Sequence, residues 1–191
     1  NFNMRDLAAV FQGLCSIHHS HVRDGLKVAR LWMHECERVY ADRLISNTEI
    51  QRCIEIIVDV AKRVIDDDQE ALFKQPNAWT TFATQTMDDS RAYLPIKSMA
   101  SLKKVLHDQL NEYNEANAIM NLVLFDMAML HVVRIARIIG FPQGNALLVG
   151  VGGSGKQSLA RLASFICGNT VTQVAVTSTF GVNELKEELK E

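Results

Sequence analysis

The run Gly150-Val-Gly-Gly-Ser-Gly-Lys156-Gln157-Ser158, entered from the apolar stretch Asn145-Ala-Leu-Leu-Val149, constrains this chain more than any other feature. A strand-like run, a glycine-rich turn and then helix-forming residues are the context that a phosphate-binding loop requires. Gly150 and Gly155 let the backbone curl so that successive N–H groups face one anion-sized hollow. A helix predicted from near Lys156 adds the positive end of its dipole, and Lys156 reaches the β- and γ-phosphates as a point charge. The next position, where a Ser or Thr hydroxyl normally meets Mg²⁺, carries Gln157. Its amide oxygen sits on a longer stem than a hydroxyl, and Ser158 lies about 100° further round the helix. The loop therefore reads as one that binds nucleotide more convincingly than it hydrolyses it. The competing reading, a structural strand–helix turn that happens to be rich in glycine, leaves Lys156 at a helix start where the dipole disfavours a cation.

Turnover needs an acidic residue at the tip of a later strand to hold Mg²⁺ and polarise water. No apolar run ending in two acidic residues follows Lys156, so no residue of the chain is assigned as catalytic or as a metal ligand. Thr170-Val-Thr-Gln-Val-Ala-Val176 has strong β preference. A strand at 145–149, the loop, a helix over 155–167 ended by Gly168-Asn169, and this second strand would form an α/β unit with a parallel, right-handed crossover. A last helix is expected to open near Asn183.

Composition narrows the possible partners. With 48% apolar and 22% charged residues the chain has the balance of a globular protein, and its net charge of −2 gives no general attraction to nucleic acid or to acidic membranes. No apolar run approaches the ~20 residues needed to cross a bilayer. Cys15, Cys36, Cys53 and Cys167 are far apart in sequence, which favours a reducing, intracellular compartment with thiols packed as small apolar groups. Asn1 is not an initiator methionine and Glu191 falls inside a charged helical pattern, so the chain is expected to be a piece of a longer one.

Before the loop the pattern is helical almost throughout. Asn3 is a candidate N-cap for a first helix with Leu7, Val10, Phe11 and Leu14 as its stripe. The polar break Ser16–His21 follows. Its histidines, with His34 and Cys36, lack the i, i+4 spacing and the carboxylate of a metal set and read as a solvated loop. A second helix is predicted from near Asp24, with Leu26, Ala29, Met33, Cys36, Tyr40 and Leu44 on one face. Thr48-Glu-Ile-Gln51 reads as a capping box ahead of the stripe Ile50, Ile54, Ile57, Val58, Ala61, Val64 and Ile65, which Asp66-Asp67-Asp68 ends. Residues 71–97 are less regular, with Trp79, Phe82 and Tyr93 available to pin them onto the helices. Ser98 or Ser101 is placed to cap a helix carrying Leu102, Val105, Leu106, Leu110 and Tyr113. Asn114–Asn121 is a polar connection, and Leu122–Ile139 is apolar nearly all round, interrupted by one narrow polar edge of Asp126, His131, Arg134 and Arg137. Gly140 is placed as the residue just past that helix.

These residues resemble a known family. Met120–Ile139 followed by Gly144–Leu159 is similar to dynein heavy chains, and the second stretch resembles the P-loop of the fourth AAA+ module in the axonemal branch. Phe2–Leu7 with Phe11-Gln-Gly13, and Leu31–Leu44, resemble the helical lid of the third module, while Asn111–Glu115 resembles the start of the fourth. The resemblance covers nearly the whole chain, least of all 71–97. It implies an AAA+ P-loop α/β fold, with residues 1–107 as the helical lid of one module and 108–191 as the start of the next. It further implies bound ATP or ADP, with Mg²⁺ as a companion ion. Gly150, Val151, Gly152, Gly153, Ser154, Gly155, Lys156, Gln157 and Ser158 would hold the phosphates. Met120, Leu122, Val123 and Leu124 would pass the adenine, and Arg5 would face the preceding module's nucleotide. The implied partners are the remaining AAA+ modules of the same heavy chain, with intermediate and light chains and microtubules engaged by other parts of the motor, in the axoneme of a cilium or flagellum. Two other readings stay open: the N-terminal part of a free-standing P-loop kinase or GTPase, and a purely structural segment whose loop holds nothing.

Overall fold

The computed structural model describes residues 2–65, 68–83, 92–174, 180–188 and 190. Helix α1 (Met4–Cys15) is capped by Asn3, whose Oδ1 accepts from the Arg5 N–H at 2.8 Å, while Asp6 accepts from the Asn3 N–H at 2.7 Å. Of its expected stripe only Val10 is fully buried; Leu7 and Phe11 are exposed. Helix α2 (Gly25–Val39) starts after Asp24 as its composition requires. Helix α3 (Asn47–Val64) begins earlier than expected, with Ser46 as N-cap. Thr48 already lies inside the helix and its hydroxyl meets that of Ser46 at 2.6 Å, so the Thr48–Gln51 capping box does not form. Short α4 (Gln69–Phe73) is held from α2. Arg30 donates to the carbonyls of Ala71 (2.7 Å), Leu72 (2.9 Å) and Lys74 (2.8 Å), groups that a helix end leaves without partners. Val10, Met33, Cys36, Val39, Ile57, Ala61 and Leu72 form the core of this four-helix half.

A two-stranded antiparallel ribbon, β1 (Trp79–Thr80) with β2 (Leu94–Pro95), stands between this half and the next, with Trp79 opposite Pro95 and Thr80 opposite Leu94. Trp79 and Tyr93 pack on Leu31 of α2, whereas Ala78, Ile96 and Phe82 join the other core. The three aromatic residues pin the segment as anticipated, but toward two different cores. Residues 84–91 lie outside the description.

Helix α5 (Met99–Ala116) is capped by both candidate serines at once, Ser98 Oγ accepting from the Ser101 N–H and Ser101 Oγ from the Ser98 N–H, each at 3.1 Å. It runs on through Asn114 into the stretch expected to be a connection, and His107 lies in its middle. Helix α6 (Asp126–Gly140) starts four residues later than the apolar run suggested: 121–125 are not helical, and Phe125, its N-cap, is extended. Gly140 is its last residue rather than the one beyond it. The glycine that the turn requires is Gly144, where an added Cβ would collide with the Ile138 carbonyl. Helix α7 (Lys156–Cys167) ends in a Schellman motif: Gly168 in the left-handed region donates to Phe165 O and Asn169 to Ser164 O, each at 2.9 Å. Helix α8 (Val182–Glu188) closes the description. Leu106 and Val132, from α5 and α6, and Leu162 of α7 are each 0% exposed. Each is worth roughly 2 kcal/mol of burial, so α5–α6–α7 packing, not the two-pair ribbon, holds this half together.

The strand expected at 145–149 is not formed among the described residues. Leu147 and Val149 are 89% and 86% exposed. A strand is defined by the neighbour that completes its ladder, and no described residue supplies one. Residues 170–174 are likewise not in a strand, and the remainder of that prediction, 175–179, lies outside the description. The crossover is thus present only as its loop and its helix.

Candidate nucleotide-binding site

α7 begins where it does because Gly155 precedes it at φ 78°, a left-handed conformation that costs a residue with a side chain about 1–2 kcal/mol. Gly153 is the second such position, at φ 76°. Gly150 is not in that region. Its requirement is space: a Cβ there would stand 3.2 Å from Ser154 Oγ and 3.6 Å from Lys156 Cδ. Val151, Gly152, Gly153 and Ser154 form the exposed rim, closed by a Ser154 N–H to Val151 O bond of 3.4 Å. No side chain caps the first turn of α7, so its N–H groups are available as donors. The Lys156 ammonium folds back across the loop, 2.7 Å from both Gly150 O and Val151 O and 3.2 Å from Ser154 Oγ. Gln157 is exposed and Ser158 half-buried, while the following residue, Leu159, enters the core. Free helix-start donors, a cation on the same loop and glycines with open space beside them fit a polyphosphate.

The extended segment before α6 alternates. Leu124 is buried, Met120 and Leu122 are half-buried against the α5–α6–α7 core, and Val123 is 77% exposed. Its backbone is fixed from α5: Asn114 Oδ1 accepts from the Met120 N–H at 2.8 Å and Asn114 Nδ2 donates to Met120 O at 3.3 Å. This segment therefore shares one core with the loop helix. Arg5 does not. It is exposed on α1, which belongs to the other half.

A second polar constellation was not anticipated. Glu35 of α2 is 0% exposed. Its carboxylate accepts from Tyr93 Oη at 2.7 Å and from Arg137 of α6 through Nε (3.1 and 3.2 Å) and Nη2. An added Cβ at Gly13 of α1 would collide with Glu35 Oε2. Burial, then the charge and hydrogen bond of Glu35, hold the Tyr93 phenol well above its usual range. Burial alone would lower the Arg137 pKa, but the hydrogen bond and charge of Glu35 together with Tyr93 outweigh it and raise it. Next to Glu35, the fully buried His34 meets Asn77 O through Nδ1 at 3.2 Å. Burial, followed by the nearby Arg38 and Arg137 charges, keeps His34 neutral, well below the ordinary histidine range. Further along the seam Asp42 accepts from Arg38 at 2.7 Å and lies 3.6 Å from Arg134 of α6. Two residues of the polar edge of α6 read from the sequence, Arg134 and Arg137, therefore face Asp42 and Glu35, while Asp126 and His131 are exposed. The signal was available in α2 as well, where Glu35 follows the buried Leu31 by one turn.

A glycine loop that opens a helix, set behind a helical lid, defines the AAA+ class of P-loop proteins, and the family described as AAA+ lid domain matches residues 1–75. The family described as P-loop containing dynein motor region D4 matches residues 120–191. The chain is 51% identical to the dynein beta chain of the flagellar outer arm of Chlamydomonas reinhardtii, over 98% of this chain and 4% of that one. It is 48% identical to the ciliary dynein beta chain of Heliocidaris crassispina and 46% identical to dynein axonemal heavy chain 17 of Homo sapiens, each over 98% of this chain and 4% of the relative. The chain belongs to the axonemal dynein heavy chains, as a segment of the motor ring spanning about 4% of the length of these relatives. The alternative of a free-standing kinase or GTPase is set aside, because the likeness runs unbroken from the lid through the loop.

Proposed function

We propose that this segment is a regulatory nucleotide site of the motor ring, in which Gly150 to Ser158 cradle the phosphates of ATP or ADP. The observation that carries it is the uncapped first turn of α7 beneath an ammonium that already lies on the loop. In this reading Lys156 exchanges its carbonyl partners for phosphate oxygens. Met120, Leu122, Val123 and Leu124 line the path of the base, the exposed Val123 offering the apolar face. A bound Mg²⁺ would neutralise phosphate charge, with the Gln157 amide oxygen or its water as the protein's contribution. The lid and the loop-bearing unit, expected from the sequence to divide near His107, divide before α5 in this reading, since His107 lies in the middle of that helix. The packing of Leu102, Leu106 and Leu110 with α6 and α7 favours assigning all of α5 to the second unit. Arg5, on the lid, faces the nucleotide of the preceding module. The remaining modules of the same heavy chain are its direct partners. Intermediate and light chains and microtubules are engaged elsewhere on a motor that works in the axoneme.

The test is the Lys156→Ala variant of the complete heavy chain. Density for a nucleotide at this loop is expected in the parent and absent in the variant, with much of the ATPase retained. Unchanged density in the variant would overturn the assignment.

A further inference from the structure

The two cores of this chain are separate clusters, one built on α1–α4 and the other on α5–α7. α6 is the beam between them. One face of it, with Met129, Val132, Val133 and Ala136, packs in the core of the loop helix α7, and Cys167 of α7 meets Ala136 O at 3.6 Å. From its other face Arg137 reaches Glu35 of α2, and Arg134 lies 3.6 Å from Asp42 in the turn that follows α2. The connection is ionic and buried: the Arg137 side chain is 10% exposed and the Glu35 side chain 0%. A buried ion pair adds little stability over a well-packed apolar pair. What it adds is a fixed register, because removing either partner leaves the other charged group with no tolerable position. Four elements converge on the one carboxylate: α1 through Gly13, α2, the strand side through Tyr93, and α6 through Arg137.

We propose that Glu35 is a positioning residue for the nucleotide loop. By gripping Arg137 it sets the placement of α6, and through the core that α6 shares with α7 that of the helix the loop opens, so that the lid helix of one module tunes nucleotide affinity in the next. This rests on the reading of the loop as a nucleotide site. Loss of the Glu35 charge forces Arg137 out of the seam, and a close-packed helix pair answers by a discrete shift rather than by gradual deformation.

The experiment measures fluorescent ADP binding to the full-length heavy chain, with Lys156→Ala defining the signal that belongs to this loop. Glu35→Gln and Arg137→Met are each expected to weaken that binding roughly five- to tenfold, the low end of coupling between linked sites. The double variant is expected to be no weaker than either single one, since the two act as a pair. Gly13→Ala, which changes no charge but pushes on the same carboxylate, keeps the test alive should Glu35→Gln fail to fold, and is expected to act in the same direction. Lowered melting temperature with unchanged affinity in these variants would make the pair merely structural and overturn the proposal. Additive losses in the double variant would also overturn it. If Lys156→Ala itself removes no signal, the reading of the loop fails instead, and the positioning role falls with it.

Discussion

Glu35 is a buried carboxylate whose charged partner, Arg137, lies 102 residues away in sequence, and its neighbour His34 couples the fold to pH. The His34 pKa is depressed in the folded chain. Between that depressed value and the unfolded value near 6.5, the unfolded chain binds the proton and the folded one does not. The stability contributed by neutral His34 is therefore present above about pH 6.5 and is lost as pH falls toward the folded pKa, at up to ~1.4 kcal/mol per pH unit. Local opening of α2 in the full-length chain, followed by hydrogen exchange corrected for intrinsic rates, is expected to rise as pH falls from 7.5 to 5.5. In His34→Gln the dependence should be shallower; an identical slope would show that His34 is not responsible. Gly168→Ala is a second residue-scale case. At φ 71° it should destabilise the end of α7 by about 1 kcal/mol, visible as faster exchange at Phe165 to Asn169. What was legible at this scale was local chemistry. Gly155 announces itself because a left-handed backbone at a helix start is decided within a few residues. Glu35 did not, since its partners are fixed by packing that no window of sequence contains. Cys36 is a mixed case. It packs as a small apolar group, its thiol pushed up to about 12 by burial and then by Cys53, whereas Cys15 is exposed.

Elements were readable where a stop or start signal coincided with a periodic stripe. Asp24, Asn3, Ser98 and Gly168-Asn169 all act at the ends assigned to them. Ser98→Ala should cost α5 about 1 kcal/mol, read as increased exchange in its first turn and little change near Tyr113. Errors arose where apolar content was taken for helix. Leu122–Phe125 are as apolar as α6, yet they lie outside any helix, just after Met120, whose N–H and carbonyl are both held by the Asn114 side chain six residues away. The 145–149 run shows the opposite limit. Its composition favours a strand, but a strand exists only with a partner. Arg30 belongs here too: no periodicity marks it, yet its guanidinium satisfies the last carbonyls of α4. Replacing it by Met should leave those carbonyls unpartnered, at roughly 2–3 kcal/mol, and should release residues 69–76 to rapid exchange while sparing α5.

Among the described residues, the chain forms two helical cores linked by a short ribbon and by an ionic seam. That the chain has two differing halves was legible from their signals, amphipathic stripes before residue 71 and a glycine turn after 149, whereas the boundary drawn near His107 falls inside α5. The seam between them was not legible, because a narrow polar edge with Arg134 and Arg137 names no partner until Glu35 and Asp42 are seen beside it. At this scale the central claim is that the loop holds a nucleotide in the working motor. The most direct measurement is a count of nucleotide released when the purified full-length heavy chain is denatured, compared with its Lys156→Ala variant. The account predicts one nucleotide fewer per chain in the variant, and equal counts would contradict it.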